Sequence, residues 1–285
     1  MSLAFCVGGL TKRAADGWES ARFTGIFNAL ADSCSQADST LRPAAGNAHR
    51  WAHPSKDKCV KTTASTKYFL FSLPILLLLS TAFVFASLSH WLNKELSYLV
   101  GFLFYDGFWC LIIPFIILGK HNFLSVFKED TPLFRKENWW LVILLFATTA
   151  GAFGMLLSHD IANTPPMLIV ISIPVAIITG TCEELLWRGL YTKVFPKKVL
   201  SGLIYPAIGF AVWHLSPQLI YPAEMPGGMF AFAGLTFFLG LCYGLVAYKT
   251  GSCKWTAISH SLNGIFDFGG ALAPAIFALI FSRTL

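Results

Sequence analysis

The chain has 285 residues, of which 55% are hydrophobic and only 13% charged; 26 are Phe, and the formal net charge is +6. Soluble domains carry roughly 25% charged residues, and the mean hydropathy here is +0.61. This balance excludes an ordinary soluble enzyme, a disordered chain and a nucleic-acid binder. It leaves an all-α protein, a polytopic bundle of transmembrane helices whose first partner is the lipid bilayer.

Residues 1–67 stand apart. They hold nine basic and five acidic residues, so most of the net charge lies there, and they have no apolar run and no helical period. A secretory signal needs an apolar core of roughly 7–15 residues, and a transit peptide is poor in acids. The segment is expected to be a disordered cytoplasmic tail, with a mis-assigned start as the alternative.

A transmembrane helical domain is expected over residues 68–285. Apolar runs at 68–92, 96–118, 139–158, 166–187, 200–215, 228–248 and 255–281 predict about seven spans, each near the ~20 residues that a hydrocarbon core requires. The fifth run is short, Gly269, Gly270 and Pro274 interrupt the last, and Pro174 is expected to kink the fourth. With the tail in the cytoplasm, the inward loops hold ten basic residues: Lys120, Lys128, Arg135, Lys136, Arg188, Lys193, Lys197, Lys198, Lys249 and Lys254. The outward side holds Lys94 and Arg283. This asymmetry predicts an integral protein of the plasma or inner membrane with its N-terminus cytoplasmic. Seven cysteines without a CxxC pair indicate neither a disulfide framework nor a zinc knuckle.

Ionisable residues at membrane depth cost roughly 2.5–3.5 kcal/mol on insertion scales, which makes each a functional candidate. Asp106 stands alone in the second run. In Thr181-Cys-Glu-Glu-Leu-Leu-Trp-Arg188, Glu184 and Arg188 are spaced for an ion pair on one helix face. Glu183 is turned by about 100° and is expected to be the unpaired acid, a better base in a low-dielectric site. The bland alternative is a helix end whose charges reach into the headgroups. Phe210 and His214 share a face, as do His260, Asn263 and Asp267; the bland reading of the latter set is hydrogen-bonded packing between helices. Gly240 and Gly244 form a GxxxG spacing suited to close helix approach.

In this order, Glu-Glu-x-x-x-Arg, Phe-x-x-x-His, a Gly-rich helix ending in Lys-Thr-Gly-Ser, and His with Asn, the residues resemble the CAAX protease and bacteriocin-processing family. This family, also called CPBP or Abi, consists of glutamate-type intramembrane peptidases. The resemblance covers roughly residues 165–270, inside a peptidase-like core at about 165–281. One position departs: the family usually carries Asn or Asp four residues after the second His, where this chain has Gly264, and Asn263 is the nearest substitute.

The resemblance implies an intramembrane endopeptidase acting on a membrane-associated protein or peptide. Glu183 would activate the water and His214 would help hold it. His260 and Asn263 would donate to the oxyanion, and Glu184, Arg188 and Phe210 would support them. No cofactor is expected; a zinc version with Glu183, His214 and His260 as ligands is the runner-up. A non-catalytic scaffold or bacteriocin-immunity protein of the same fold is the alternative function. A proton-coupled transporter ranks below it, because the polar residues gather in the second half and no repeated half is visible.

Overall fold

A computed structural model describes residues 62–156, 161 and 164–281. The expected tail lies outside the described residues as far as residue 61, and its last positions already belong to a helix that begins at Ala64. All regular elements among the described residues are helical. The helices are α1 Ala64–Ser89, α2 Lys94–Phe127, α3 Trp139–Leu156, α4 Pro166–Val194, α5 at 200–213, α6 Gly228–Thr250, α7 Lys254–Phe266 and α8 Leu272–Phe281. Local sequence sets several boundaries. The Thr63 hydroxyl and the Asn93 carboxamide accept the free N–H groups of Thr66 and Leu96 at the starts of α1 and α2. Gly251, with φ of 71°, closes α6 in the left-handed conformation.

Four of these helices, α1, α2, α4 and α6, are long and apolar enough to cross a membrane, against the seven spans expected. α3 is described over 18 residues, as far as Leu156. Two other expected spans differ for physical reasons. α5 consists of five π-helical and nine α-helical residues, too short at ~1.5 Å per residue for a ~30 Å core. The expected last span is two helices, because Phe268, Gly269 and Gly270 all take positive φ and end α7. α8 then restarts with Pro274 in its first turn, where a missing N–H is tolerated. Pro174 is carried inside α4 without ending it.

α4 lies at the centre. It packs most extensively on α7 and also touches α2 and α8, while α5 packs on α6 and α1, and α7 on α3. Small residues permit the α4–α7 approach: a Cβ added at Gly180 would stand 3.0 Å from the Ser261 backbone nitrogen, and one at Gly264 would stand 2.9 Å from the Ala176 Cβ. Gly240 and Gly244 do the same for α5 and α6; a Cβ there would meet Ala207 at 3.2 Å and Leu203 at 3.3 Å. The buried core joins Leu70, Leu73 and Leu77 of α1 to Tyr105, Trp187, Phe210 and Trp213. The outward faces expose Leu79, Phe83, Ile116, Phe146, Ile178 and Phe238, a distribution suited to lipid rather than water. The described cysteines Cys110, Cys182, Cys242 and Cys253 are buried free thiols.

The connecting segments gather at two ends. At one, Asp130 and Thr131 donate backbone N–H groups to the Thr250 carbonyl, and Cys253 donates to Val126. There Lys193 Nζ donates to the Gly251 carbonyl at 2.8 Å, and the Tyr248 hydroxyl donates to the Lys197 carbonyl. At the other, Lys94 lies over the Tyr221 ring at 4.0 Å, and Tyr98 packs edge-on against the same ring.

Candidate active site

Just past Glu184, α4 widens into a π turn over Leu185–Leu190, a feature that occurs often at functional sites. Arg188 Nη1 donates to Glu184 Oε1 at 2.7 Å, with both side chains almost fully buried at 2% and 0% exposure. The pair expected from the spacing is therefore present, and burial removes the reading in which these charges reach the headgroups. The guanidinium also stacks on the Phe210 ring, with Cζ 4.2 Å from its centre.

His260 of α7 stands between the two acids. Its Nδ1 is 3.0 Å from Glu184 Oε1, and its Nε2 is 3.5 Å from Glu183 Oε2. Here the structure corrects the expected divergence of the neighbouring glutamates. One imidazole on the facing helix reaches both. Glu183 thus lacks a partner on its own helix and faces His260 instead. Because Glu184 is held as an acceptor by Arg188, His260 donates to it from Nδ1 and turns Nε2 toward Glu183.

His214 follows the last residue of α5. Its Nδ1 lies 2.6 Å from the Phe210 carbonyl. A carbonyl only accepts, so Nδ1 carries the proton and Nε2 of the neutral ring is an acceptor. Phe210 is the hub that aligns the polar groups. Its ring meets His214 edge-on at 4.6 Å and His260 at 5.9 Å, in addition to carrying Arg188.

Asn263 lies one turn beyond His260. Its Nδ2 donates to the Tyr243 hydroxyl at 2.6 Å, and its Oδ1 is buried without a partner. A hydroxyl serves either way: with Tyr243 donating, the amide turns over and presents its NH₂ in place of Oδ1. Tyr243 continues through Ser259 at 3.3 Å to Thr149 of α3 at 2.9 Å. Asp267, on the same face in the linear reading, caps the end of α7 and is exposed.

One residue escaped the sequence reading, and another gained its neighbours only in the structure. Tyr243 was indistinguishable from the other aromatics of an apolar helix. Asp106, seen only as a solitary acid, is buried in the π turn Tyr105–Ile112 of α2, which packs on α4. Its Oδ1 has no partner, and it lies close enough to Glu183 for the two charges to interact. Among the described residues six buried side-chain polar atoms lack a partner, and five belong to this cluster: Asp106 Oδ1, Glu184 Oε2, Arg188 Nη2, Trp213 Nε1 and Asn263 Oδ1. Buried polar atoms without a partner are few in folded proteins, and here they gather around the two acids.

Among the described residues no three His, Cys, Asp or Glu side chains form a group that could hold a metal ion, and His260 has both ring nitrogens turned to carboxylates.

Residues 165–266 match the family model described as Rce1-like, type II CAAX prenyl endopeptidase Rce1-like. The match covers a little over a third of the chain and takes in Glu183, Glu184, Arg188, Phe210, His214, His260 and Asn263. The resemblance suggested by the motifs therefore holds over this segment. No curated protein and no solved structure gives a significant match. With four helices able to cross a membrane, the chain is an integral membrane protein similar in its central segment to a family of membrane proteases.

Proposed function

We propose, on the premise that residues 165–266 are similar to the Rce1-like type II CAAX prenyl endopeptidases, that this protein is an intramembrane endopeptidase. It hydrolyses a peptide bond of a membrane-associated protein or peptide, and prenylated C-terminal peptides are the first substrates to try. The observation that carries this reading is the single imidazole of His260 set between Glu183 and Glu184 inside an apolar bundle, at 3.5 Å and 3.0 Å.

Glu183 takes a proton from water as the water oxygen attacks the scissile carbonyl. His214 Nε2, left as an acceptor by its Nδ1–H bond to the Phe210 carbonyl, takes a hydrogen bond from the same water. Glu184 and Arg188 fix His260 through Nδ1, so that Nε2 is the edge facing the reaction. A protonated Nε2 and the turned Asn263 amide donate to the oxyanion, and the proton gained by Glu183 goes to the departing amine. Preorganised donors of this kind contribute about 2.7–4 kcal/mol each in other acyl-transfer sites. The N-terminus and the basic loops are assigned to the cytoplasmic side of the plasma or inner membrane.

The test is cleavage of prenylated and unprenylated peptides by purified protein in detergent, with and without a chelator, beside Glu183→Gln. Chelator-resistant cleavage lost in Glu183→Gln is expected. Loss of activity with chelator would replace this mechanism by a metal-dependent one. Absence of cleavage from a well-folded wild type would favour the scaffold reading, in which the same fold binds without turnover.

A further inference from the structure

Trp213 ends α5 and directly precedes His214. It is fully buried, yet its Nε1 has no hydrogen-bond partner. The ring cannot swing away to find one. It stacks on Tyr105 with centroids 3.5 Å apart and planes at 19°, and Phe102 meets it edge-on at 5.7 Å. Tyr105 is itself pinned by the Trp187 indole, which donates to its hydroxyl at 2.9 Å. The N–H is directed at the Glu183 carboxyl without meeting the geometry of a direct hydrogen bond.

We propose that the indole N–H of Trp213 is a third hydrogen-bonding group of the site and holds the water that Glu183 activates. The proposal rests on the peptidase reading above and deepens it. A water molecule offers two hydrogens and two lone pairs. Glu183 and His214 Nε2 are two acceptors and take the two hydrogens. One lone pair takes the Trp213 N–H, which leaves the second as the only one directed at a carbonyl carbon. Two acceptors alone leave the oxygen free to rotate about them; a donor from a clamped ring fixes which lone pair attacks. In the step itself the O–H bond breaks toward Glu183, the C–O bond forms, and the C–N bond breaks as the amine takes up the proton. Trp213 loses and gains no proton throughout. The clamp also gives α2, which lies outside the family match, a part in the reaction: Tyr105 holds the donor in place.

The test uses Trp213→Phe in the full chain, which deletes the N–H and keeps a ring against Tyr105. The expected result is a melting temperature close to wild type, KM within about twofold, and turnover lower by about 10²-fold, the usual effect of losing one preorganised donor. A second measurement is independent of activity. With indole ¹⁵N labelling the nine tryptophans give separate N–H signals, and that of Trp213 is the one absent in Trp213→Phe. It is expected to shift more than any other in Glu183→Gln. Wild-type turnover in Trp213→Phe, or a Trp213 signal unmoved in Glu183→Gln, overturns the proposal. If the wild type cleaves nothing, the peptidase reading falls, and the resonance alone decides whether Trp213 and Glu183 share one hydrogen-bonded network.

Discussion

Glu184 accepts from Arg188 and from His260 in a fully buried position, whereas Glu183 meets the far edge of the same imidazole at 3.5 Å. Replacing Glu184 by Gln strands a buried guanidinium, and removing one partner of such a pair costs about 3–5 kcal/mol. Thermal or denaturant unfolding in detergent should register that loss in Glu184→Gln. Glu183→Gln should unfold close to wild type while cleavage disappears; comparable instability in both would mean that the two acids share one structural task. Asn263→Ala belongs at the same scale. If its amide serves the oxyanion, turnover should fall by about 10²–10³ while KM changes little, because such a donor matters once negative charge has formed. Steady-state kinetics on one peptide separates the two parameters.

At the level of the helices, the contact of α4 with α7 decides what the departure at Gly264 means. From the sequence, an Asn placed four residues after His260 looks like a repair toward the family pattern. The packing says otherwise: any Cβ at Gly264 would stand 2.9 Å from Ala176, and Gly180 meets Ser261 as closely. Gly264→Asn is therefore expected to destabilise by about 1–3 kcal/mol, the usual cost of overpacking, and to lower activity by moving His260 away from the acids. An equally stable and faster Gly264→Asn enzyme would show that the helices can separate without loss. The acids, Arg188, both histidines and Phe210 were legible because ionisable groups are costly in apolar helices and their spacing is informative. The bridging place of His260, the orphan Trp213 N–H and the neighbourhood of Asp106 were not, since each depends on which helices touch. The break at Phe268–Gly270 was half legible: the glycines announced an interruption, but not that three consecutive positive φ values would divide one expected span into two helices.

For the whole molecule, the basic residues assigned to one side, less Arg188, which is buried against Glu184, provide a test of orientation. The segments around Asp130, Lys193, Lys197 and Thr250 are bonded to one another at one end of the bundle, and Lys94 and Tyr221 meet at the other. Membrane-impermeant labelling of single cysteines should reach positions near Lys128 and Lys197 from the cytoplasm and positions near Lys94 and Glu224 from outside. Labelling of all four from one side would break the assignment. The stack of Tyr105 on Trp213 has a consequence for how far the polypeptide needs to be one piece. The aromatic wall behind the acids is built from both sides of the 157–165 stretch, with Tyr105 from the first helices and Trp187 and Trp213 from the later ones. Two co-expressed fragments divided there should reassemble in the membrane and recover cleavage, while the later fragment alone, though it carries every residue of the family match, should stay inactive.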